Sequence, residues 1–485
     1  MEEKEAGTEK RGSFPGVFWL VIVFEFFERG SYYGMMSVLS VYMTDVLAFS
    51  KEGVGIIKGT IQPILYFLPI ISGALADRFG YRPTLTIAFS LLGTGYFLTS
   101  QMTSYSAVFM ALVIMALGAG TFKPIISGTI ARTTDASNST LGFGIYYWSI
   151  NLGAFLFPLI LVPYLKNNIG WNWVIIASGI GTAIMVLPTI LFFKEPPKPQ
   201  TDKSIVLALA AAQEIIFSPI LALISLFGPS EQSYRRARSI LLLPWSIFVP
   251  GEKREMIAPA IGEGKRLDIA NFKFLLMIFI YSGFWILYFQ MFDSVLWYVQ
   301  KYVDASALDR FINSILGSIG IHINWKFDVE HVTVINAGTI ILLQLVVSNI
   351  VKKTRALPTM VAGIFLGTVG MAILAISADI WVFLIGIIIF SIGEMTAHPK
   401  FISYIGQTAP RDKVAMYMGY IFLYGVIGSS IGAILGANLY VHFVDKLNQP
   451  KTLWLIFSGI GVATIIGLLL YDRFLATDKA EEKTG

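Results

Sequence analysis

The stretch GALADRFGYRP, at residues 73–83, joins two apolar segments of the sequence. Glycine has no side chain beyond a hydrogen atom, so the glycines of this stretch allow two helices to approach closely. Its aspartate and arginines can bridge two helix ends in one conformation of the protein and release them in another. We therefore predict that Asp77, Arg78 and Arg82 form a gating latch between two membrane spans.

The composition on either side of this junction is that of an integral membrane protein. Of the 485 residues, 55% are hydrophobic and only 14% are charged. A soluble chain of this size carries roughly a quarter charged residues, so most of this surface does not face water. Apolar runs of bilayer length recur along the chain, six on each side of a central break. We predict spans at 15–47, 53–76, 81–101, 105–132, 141–163 and 172–194, and then at 271–300, 331–351, 357–377, 379–408, 413–443 and 450–474.

This division predicts an all-α integral membrane protein built from two six-helix bundles. The central linker combines an apolar stretch at 204–228 with basic clusters. It either contributes extra spanning helices or lies as amphipathic helices on the cytoplasmic surface, which is the interpretation we favour. The predicted parts are an N-terminal tail at 1–14, a bundle at 15–195, the linker insertion at 196–268, a bundle at 269–475 and a C-terminal tail at 476–485.

Two short glycine patterns bear on how the helices pack. The pattern G-x-x-T-x-x-P occurs at residues 118–124 in the fourth span and again at 393–399 in the tenth. Such a weak repeat is typical of duplicated transporter halves. The pattern G-x-x-x-G-x-x-x-G at residues 428–436 has small residues at every fourth position, so it predicts close helix contact in the eleventh span.

The excess of basic residues predicts membrane topology rather than nucleic-acid binding. The formal net charge is +5, and the basic residues cluster in loops that share one side of the membrane if both termini lie there. We predict an integral protein of the plasma membrane with both termini cytoplasmic, the lipid bilayer as partner and no nucleic acid. The chain has no cysteine, no HExxH spacing and no nucleophile motif, so we predict no metal, no cofactor and no enzymatic activity.

Seven charged residues inside the predicted spans are the most informative ones. Each costs at least about 2.5–3.5 kcal/mol at a helix centre, so lipid exposure is unfavourable and a polar cavity or a charged partner is expected. Together they predict one cavity within the bundle. They are Glu25, Glu28 and Arg29 in span one, Lys123 in span four, Asp293 in span seven, and Glu394 and Lys400 in span ten.

Span one places five functional groups on one face. At about 100° per residue, Glu25, Glu28, Arg29, Tyr32 and Tyr33 lie within an arc of roughly 140°. A carboxylate beside a cation is stabilised in its charged form. When an anionic substrate engages the cation, the carboxylate loses that stabilisation while it remains desolvated, and it can then take up a proton. The arrangement predicts a coupling device; the alternative is a static ion pair that holds span one against a neighbour.

The two halves contribute opposite charges to the predicted cavity. Lys123 suits a substrate carboxylate, or pairs with Glu25 when the site is empty. Glu394 suits a substrate ammonium, or pairs with Lys400. A cation on one half and an anion on the other suit a zwitterion. Further groups that can hydrogen-bond peptide units, if they are not simply packed, are Tyr32, Tyr33, Tyr66 and Asn336.

Several of these motifs are similar to those of a known family. Residues 73–83 resemble the signature of the major facilitator superfamily, and EFFERGSYYG at 25–34 resembles the span-one motif of proton-coupled oligopeptide transporters. Further matches cover most of the chain: FKP at 122–124, SINLG at 149–153, IN at 335–336, and GE at 393–394 with Pro399. The resemblance implies a major facilitator fold of twelve spans that works by alternating access.

The resemblance also implies roles for individual residues. The positions that match Glu25 and Glu28 take part in proton coupling, with the Arg29 position as their partner. The positions of Arg29 and Lys123 face the peptide carboxylate. Those of Asn336 and Glu394 face its amino end. Other implied substrate-binding positions are Tyr32, Tyr33, Tyr66, Asn151 and Gln290.

Span seven departs from the family pattern. The family usually has an acidic residue directly before the glutamine, as a proton-linked gate, whereas this chain has Phe289 before Gln290. Asp293 lies four residues after Phe289, about one helical turn away. It either takes over proton coupling or is solvated near the external end of the span.

Two further departures lie in the later spans. His398 and Lys400 flank the span-ten proline, where the family commonly has small or apolar residues. Lys400 would then neutralise Glu394 and favour an anionic substrate. Ile421 stands where the family usually has a pocket tryptophan.

Taken together, these motifs predict a proton-coupled symporter that imports di- and tripeptides by alternating access. Its partners would be short peptides and protons. The alternatives are a related proton-coupled carrier of another small anion or zwitterion, with altered span-seven coupling, or a passive facilitator in which Glu25 and Glu28 need not titrate. We expect a monomer, although the sequence does not specify the oligomeric state.

Overall fold

The computed structural model describes residues 14–135, 138–196, 269–408 and 421–476. Within these ranges the regular structure is helical, and a single isolated β-bridge joins Asp304 and Asp379. Nearly all of the predicted linker lies outside the described residues. The helices are α1 (Gly16–Val41), α2 (Lys51–Phe79), α3 (Tyr81–Gln101), α4 (Tyr105–Thr133), α5 (Ser139–Leu156), α6 (Val162–Asn168), α7 (Trp171–Ala183), α8 (Val186–Phe192), α9 (Ile269–Phe289), α10 (Ser294–Tyr302), α11 (Ser306–Ser318), α12 (Glu330–Val351), α13 (Ala356–Leu374), α14 (Ile380–Thr408), α15 (Leu423–Leu439) and α16 (Pro450–Phe474).

These helices occupy the positions of all twelve predicted spans. Among the described residues, nine helices are long and apolar enough to cross a membrane, and the bent helix α2 would make a tenth. Helices α1 and α3 have span length, at 26 and 21 residues, but are less apolar. In α1 the reason is that every 18-residue stretch contains Glu25, Glu28 and Arg29. The charges that mark the candidate site therefore also weaken the hydropathy signal of the helix that carries them.

The helices pack mainly with partners from their own half of the chain. In the first half α3 packs on α4 and α7, α2 on α4, and α1 on α5. In the second half α13 packs on α14 and α16, and α9 on α15. Contacts between the halves are made by α2 with α15, by α5 with α12 and by α1 with α12. A site between the halves is therefore lined by helices of both halves.

The repeated glycine pattern marks two equivalent close helix crossings. A Cβ added at Gly118 of α4 would lie 2.7 Å from the backbone nitrogen of Leu92 in α3. A Cβ at Gly393 of α14 would lie 2.5 Å from the backbone oxygen of Gly363 in α13. Each glycine thus lets the fourth span of its half contact the backbone of the third span, α4 on α3 in the first half and α14 on α13 in the second. In α15 the predicted packing role is also confirmed, because a Cβ at Gly428 would overlap Trp285 of α9.

We call the end of the bundle at which α1 begins the proximal end, and the end at which α1 finishes the distal end. The seventh predicted span is broken toward its distal end. Helix α9 ends at Phe289, a 3-10 turn covers Gln290–Phe292, and Asp293 precedes α10 with φ −134° and ψ −92°. The break holds the Asp293 carboxylate inside the bundle.

Candidate functional site

The charged residues of α1 form one compact cluster. The Arg29 guanidinium donates two hydrogen bonds to Glu28, one of them 2.6 Å long from Nη2 to Oε1. Oε1 of Glu25 lies 3.6 Å from Nε of Arg29. Its Oε2 is buried and has no hydrogen-bond partner among the described residues. The side chains of Glu25, Glu28 and Arg29 are almost fully buried, so Glu28 is saturated by the arginine while Glu25 keeps one oxygen free.

Lys123 of α4 faces this cluster from across the first half. Its ammonium lies 5.1 Å from the centre of the Tyr66 ring, in a cation–π contact. The charges of Arg29, Glu28 and Glu25 lie near enough to act on it. Among the described residues, however, no carboxylate lies within ion-pair distance of the Lys123 ammonium. Lys123 is therefore a partly buried cation that is free to receive an anionic group.

Glu394 of α14 supplies the opposite charge from the second half. Its Oε2 accepts a 3.0 Å hydrogen bond from Nδ2 of Asn336, and the same amide nitrogen donates to Oγ of Ser391. The predicted neutralisation of Glu394 by Lys400 is wrong. Lys400 instead donates a 2.6 Å hydrogen bond to the Thr354 carbonyl at the proximal end. It follows Glu394 by six residues, so the two side chains leave the helix about 120° apart and nearly two turns from each other. No cation within the described ranges pairs with Glu394.

Aromatic residues from both halves lie between these charges. The Tyr66 ring centre lies 6.1 Å from the ring centres of Phe289 and of Tyr424, which belong to the second half. The ring centre of Tyr33 in α1 lies 6.3 Å from that of Phe292, which also belongs to the second half. The guanidinium of Arg29 lies 5.0 Å from the centre of the Tyr32 ring. The structure thus brings the predicted tyrosines into one space with the cations of α1 and α4 and with aromatic rings of the second half.

Two predicted substrate-binding residues are not brought into this space. Gln290 is fully buried, and its amide donates to the carbonyls of Ile286 and Gly432 at 2.9 Å each, while Ser294 donates to its Oε1. Its polar atoms are therefore used in joining α9 to α15. Asn151 is nearly buried in α5 and donates to the Tyr147 carbonyl of its own helix.

Asp293 forms a buried ion pair that crosses between the halves. Its carboxylate pairs with the Lys58 ammonium of α2, and both side chains are at most 1% exposed. Lys58 also donates to the Phe292 carbonyl at 2.7 Å and to Ser40 Oγ at 2.8 Å, and Ser40 Oγ lies 2.7 Å from Asp293 Oδ1. The prediction that Asp293 is solvated is wrong. The carboxylate instead fastens span seven to α1 and α2.

A second ionic contact joins the halves at the distal end. Lys166 of α6 is 2.6 Å from a carboxylate oxygen of Asp328 and 2.6 Å from one of Glu330, which begins α12. Sequence reasoning assigned no function to Lys58, Lys166 or Glu330. Lys58 could have been found from the sequence, because a charged residue inside the second predicted span predicts a buried partner or a functional site. Lys166 and Glu330 lie at span ends, where charges are ordinary.

The junction between α2 and α3 is held by contacts within the first half. Arg132 of α4 donates a 2.5 Å hydrogen bond to Asp77, and Arg82 donates to the Ile190 carbonyl. Glu195 accepts hydrogen bonds from the backbone nitrogens of Tyr81 and Arg82.

The backbone turns between α2 and α3 at Gly80, whose φ of +100° favours glycine. The Arg78 side chain lies outside the described part of the chain. The predicted latch thus gains Arg132 as the partner of Asp77, and sequence analysis did not assign it.

A sequence model of the Major Facilitator Superfamily matches residues 18–321 and 305–484. The chain belongs to the major facilitator superfamily. The predicted fold class is confirmed, and membership makes this major facilitator protein a membrane transporter rather than an enzyme. Among the described residues, no group of three or more His, Asp or Glu side chains is arranged to hold a metal ion.

Curated relatives of this major facilitator protein are named dipeptide and tripeptide permeases. Permease A of Citrobacter koseri is 24% identical over 473 residues, which cover 93% of this chain and 90% of the relative. Permease B of Aliivibrio fischeri is 32% identical over 171 residues, 34% of each chain. That shorter match spans only a third of the relative.

Solved structures of POT family transporters share the fold. The peptide transporter POT in complex with sulfate is 20% identical, has a TM-score of 0.69 and is matched over 96% of this chain and 95% of that chain. A POT family transporter in complex with 5-aminolevulinic acid is also 20% identical, with a TM-score of 0.68 and coverage of 96% and 98%. The family match, the permease relatives and these structures together confirm that the chain resembles peptide transporters of the major facilitator superfamily.

Proposed function

We propose that this protein is a proton-coupled symporter that imports di- and tripeptides by alternating access. It would act as a monomer in the plasma membrane with both termini in the cytoplasm. The observation that carries the proposal is a pair of opposite charges, Lys123 in the first half and Glu394 in the second, neither of which has an ion-pair partner among the described residues. Aromatic residues of both halves meet beside Lys123, at Tyr66.

A zwitterion would satisfy both charges at once. A charged group inside a membrane protein is costly unless it is paired and hydrogen-bonded. A ligand whose carboxylate meets Lys123 and whose ammonium meets Glu394 removes both penalties and draws the two halves toward each other. Short peptides have such termini, with amide groups between them that the phenols of Tyr33 and Tyr66 can hydrogen-bond. The names of the permease relatives support peptides over other zwitterions.

Proton coupling would follow from competition for Arg29. In the structure the guanidinium is engaged by Glu28 and lies beside Glu25. A substrate carboxylate that binds near Arg29 and Lys123 competes for this positive charge. The displaced glutamate then remains buried with less compensation, which favours proton uptake. Substrate and proton would therefore load together.

Alternating access would exchange the contacts that close each end. At the distal end two buried ion pairs, Lys58 with Asp293 and Lys166 with Glu330, join the halves. In a membrane with the proximal end cytoplasmic, these pairs close the external side. We propose that the predicted bundles at 15–195 and 269–475 are the units that rock about the cavity, with the residues between them as a linker.

Uptake into proteoliposomes tests the proposal. An inward proton gradient should drive accumulation of labelled Ala-Ala above its equilibrium level, and no accumulation should occur without the gradient. Equilibration at the same rate with and without the gradient would indicate a passive facilitator. The absence of an acid at Phe289 favours one alternative, a related proton-coupled carrier of another small anion or zwitterion with altered span-seven coupling. Competition by 5-aminolevulinic acid, but by no peptide, would support that alternative and overturn peptide import.

Replacing Lys123 with alanine should weaken peptide binding selectively. A hydrogen bond to a charged group is worth about 1.5–3 kcal/mol, so KM for a dipeptide should rise about 10- to 100-fold. Dipeptide amides lack the carboxylate and should lose much less. Initial uptake rates over a concentration series measure both, with Lys352→Ala at an exposed position as the control. Equal losses for the free and amidated peptides would contradict the role of Lys123.

Glu394 and Lys400 should behave differently even though both lie in α14. Glu394→Gln removes the charge that would hold the substrate ammonium, so KM for a dipeptide should rise about tenfold or more. N-acetylated dipeptides, which lack the ammonium, should be affected less. Lys400→Gln changes a residue bound to the Thr354 carbonyl and should leave KM close to the wild-type value. A larger effect of Lys400→Gln than of Glu394→Gln would contradict this assignment.

A further inference from the structure

Helix α11, outside the predicted spans, has one continuous apolar face. At about 100° per residue, Leu308, Phe311 and Ile315 share this face, and Ile319 follows directly after the last residue of the helix. Leu308 is buried against the protein, but Phe311, Ile315 and Ile319 are 52%, 46% and 65% exposed. About half or more of each of these three side chains is left uncovered by the described part of the chain. The opposite face carries polar and small residues, among them Arg310, Asn313, Ser314 and Gly317.

The polar side of α11 is fastened to the protein. Asn313 donates to the Trp325 carbonyl at 2.7 Å and accepts from the Trp325 nitrogen at 2.9 Å. Oδ1 of Asp309 accepts a 2.8 Å hydrogen bond from the Phe327 nitrogen. These bonds fix the rotation of the helix about its axis, so the apolar face cannot turn inward. They also hold the segment directly before Glu330.

The apolar face meets the lipid-facing surface at the distal end of the bundle. The Phe311 ring lies 5.7 Å from the Trp381 ring, with an interplanar angle of 78°. Trp381 is the second residue of the membrane-spanning helix α14 and is 41% exposed. Ile385, one turn further along that helix, is 52% exposed. Tryptophan is typical of the membrane–water interface, so Trp381 marks that level on α14.

We propose that α11 is an interfacial helix that binds the phospholipid bilayer. Its apolar face lies in the boundary between headgroups and acyl chains of the distal leaflet. Phe311 joins this face to the lipid-contacting side of α14 at Trp381, so one apolar surface runs from the spanning helix onto α11. An amphipathic helix with this pattern buries its apolar face about 5–10 Å into the boundary region. The inference does not depend on which substrate is transported.

Spin labels can locate the face directly, because the chain has no native cysteine. The single-cysteine variants Phe311→Cys, Ile315→Cys and Ile319→Cys are labelled with a nitroxide in the full-length protein and reconstituted into phosphatidylcholine vesicles. Ser314→Cys, on the polar side and also exposed, is the matched control. Collision of each label with oxygen, which enters lipid, is compared with collision with a water-soluble nickel complex.

The proposal expects a ratio of oxygen to nickel accessibility that is several-fold higher at residues 311, 315 and 319 than at 314. High nickel accessibility at all four positions would mean that the face is in water and would overturn the proposal. Low accessibility to both reagents at 315, together with spin–spin broadening or disulfide-linked dimers of Ile315→Cys, would mean that a second copy covers the face. That outcome would also overturn it. Because three positions are compared, the failure of one variant to fold leaves the test intact.

Discussion

Replacing Glu25 with glutamine is expected to abolish gradient-driven accumulation of substrate while counterflow exchange continues. Glu25 lies against Arg29 through one oxygen, and its other oxygen is buried without a partner in the described part of the chain. A buried carboxylate with a spare oxygen is suited to accept a proton. Glutamine keeps the shape of the side chain but cannot titrate. Exchange needs only movement of the loaded carrier, so it should survive, whereas accumulation should fall to the equilibrium level.

Glu28→Gln should also lose gradient-driven accumulation while counterflow exchange continues, but for a different reason. Glu28 accepts hydrogen bonds from Nε and Nη2 of Arg29, so its replacement frees a buried guanidinium and also removes a titratable group. We expect lost accumulation together with altered substrate affinity, since Arg29 becomes available to a carboxylate. Both variants are measured in proteoliposomes with an inward proton gradient and in counterflow. Glu52→Gln, a carboxylate in the first turn of α2, serves as the control. Normal accumulation in both test variants would refute coupling through span one.

The sequence was sufficient to predict features that have a local cause. The face shared by Glu25, Glu28 and Arg29 follows from helical periodicity alone, and the structure places these three side chains in contact. The repeated pattern at 118–124 and 393–399 predicted duplicated halves, and the structure places Gly118 and Gly393 at close helix crossings, where a small residue is needed. In these cases the spacing of residues along one helix is enough to determine which side chains share a face or allow a close contact.

Features that depend on long-range pairing were not predictable in the same way. Lys58 and Asp293 are separated by 235 residues, and nothing in either span specifies the other as partner. The same applies to Arg132 as the partner of Asp77 and to Lys166 as the partner of Glu330. Periodicity gives the face of a helix but not the neighbour that this face meets. Gln290 is an example. The motif match implied that it contacts the substrate, whereas its amide joins α9 to α15.

Breaking the ion pair between Lys58 and Asp293 is expected to open the distal end. Removing one partner of a buried pair leaves an uncompensated charge and costs about 3–5 kcal/mol, whereas replacing both by apolar residues is often neutral or stabilising. Lys58→Met or Asp293→Asn should therefore shift the protein away from the distal-closed arrangement by a factor of about 100 or more. The double variant Lys58→Met/Asp293→Leu should restore closure. If Asp293 also replaces the gate acid missing at Phe289, Asp293→Asn should lose proton coupling as well.

Cross-linking across the distal end reports closure. Nε2 of Gln300 lies 2.6 Å from Oδ2 of Asp45, and the two residues come from opposite halves. The pair Asp45→Cys/Gln300→Cys, in a chain without native cysteine, should be joined readily by a short bifunctional thiol reagent when the distal end is closed. The reagent spans the length lost when Asp and Gln are replaced by the shorter cysteine side chains. Cross-linking should become much slower in Lys58→Met and in Asp293→Asn. It should recover in the double variant Lys58→Met/Asp293→Leu.

The contact between Lys51 and Asp445 supplies the control, because it also joins the halves but is 23% and 27% exposed. Surface ion pairs contribute about 0–1 kcal/mol, so Lys51→Met should leave the cross-linking rate nearly unchanged. Wild-type cross-linking in Lys58→Met, or an unchanged rate and pH profile of uptake in Asp293→Asn, would show that this pair supports the fold without controlling the gate. A slow rate that persists in the double variant would point instead to lost packing around α9. Recovery in the double variant, with Lys51→Met unaffected, separates a latch that depends on buried charge from a contact that merely fills space.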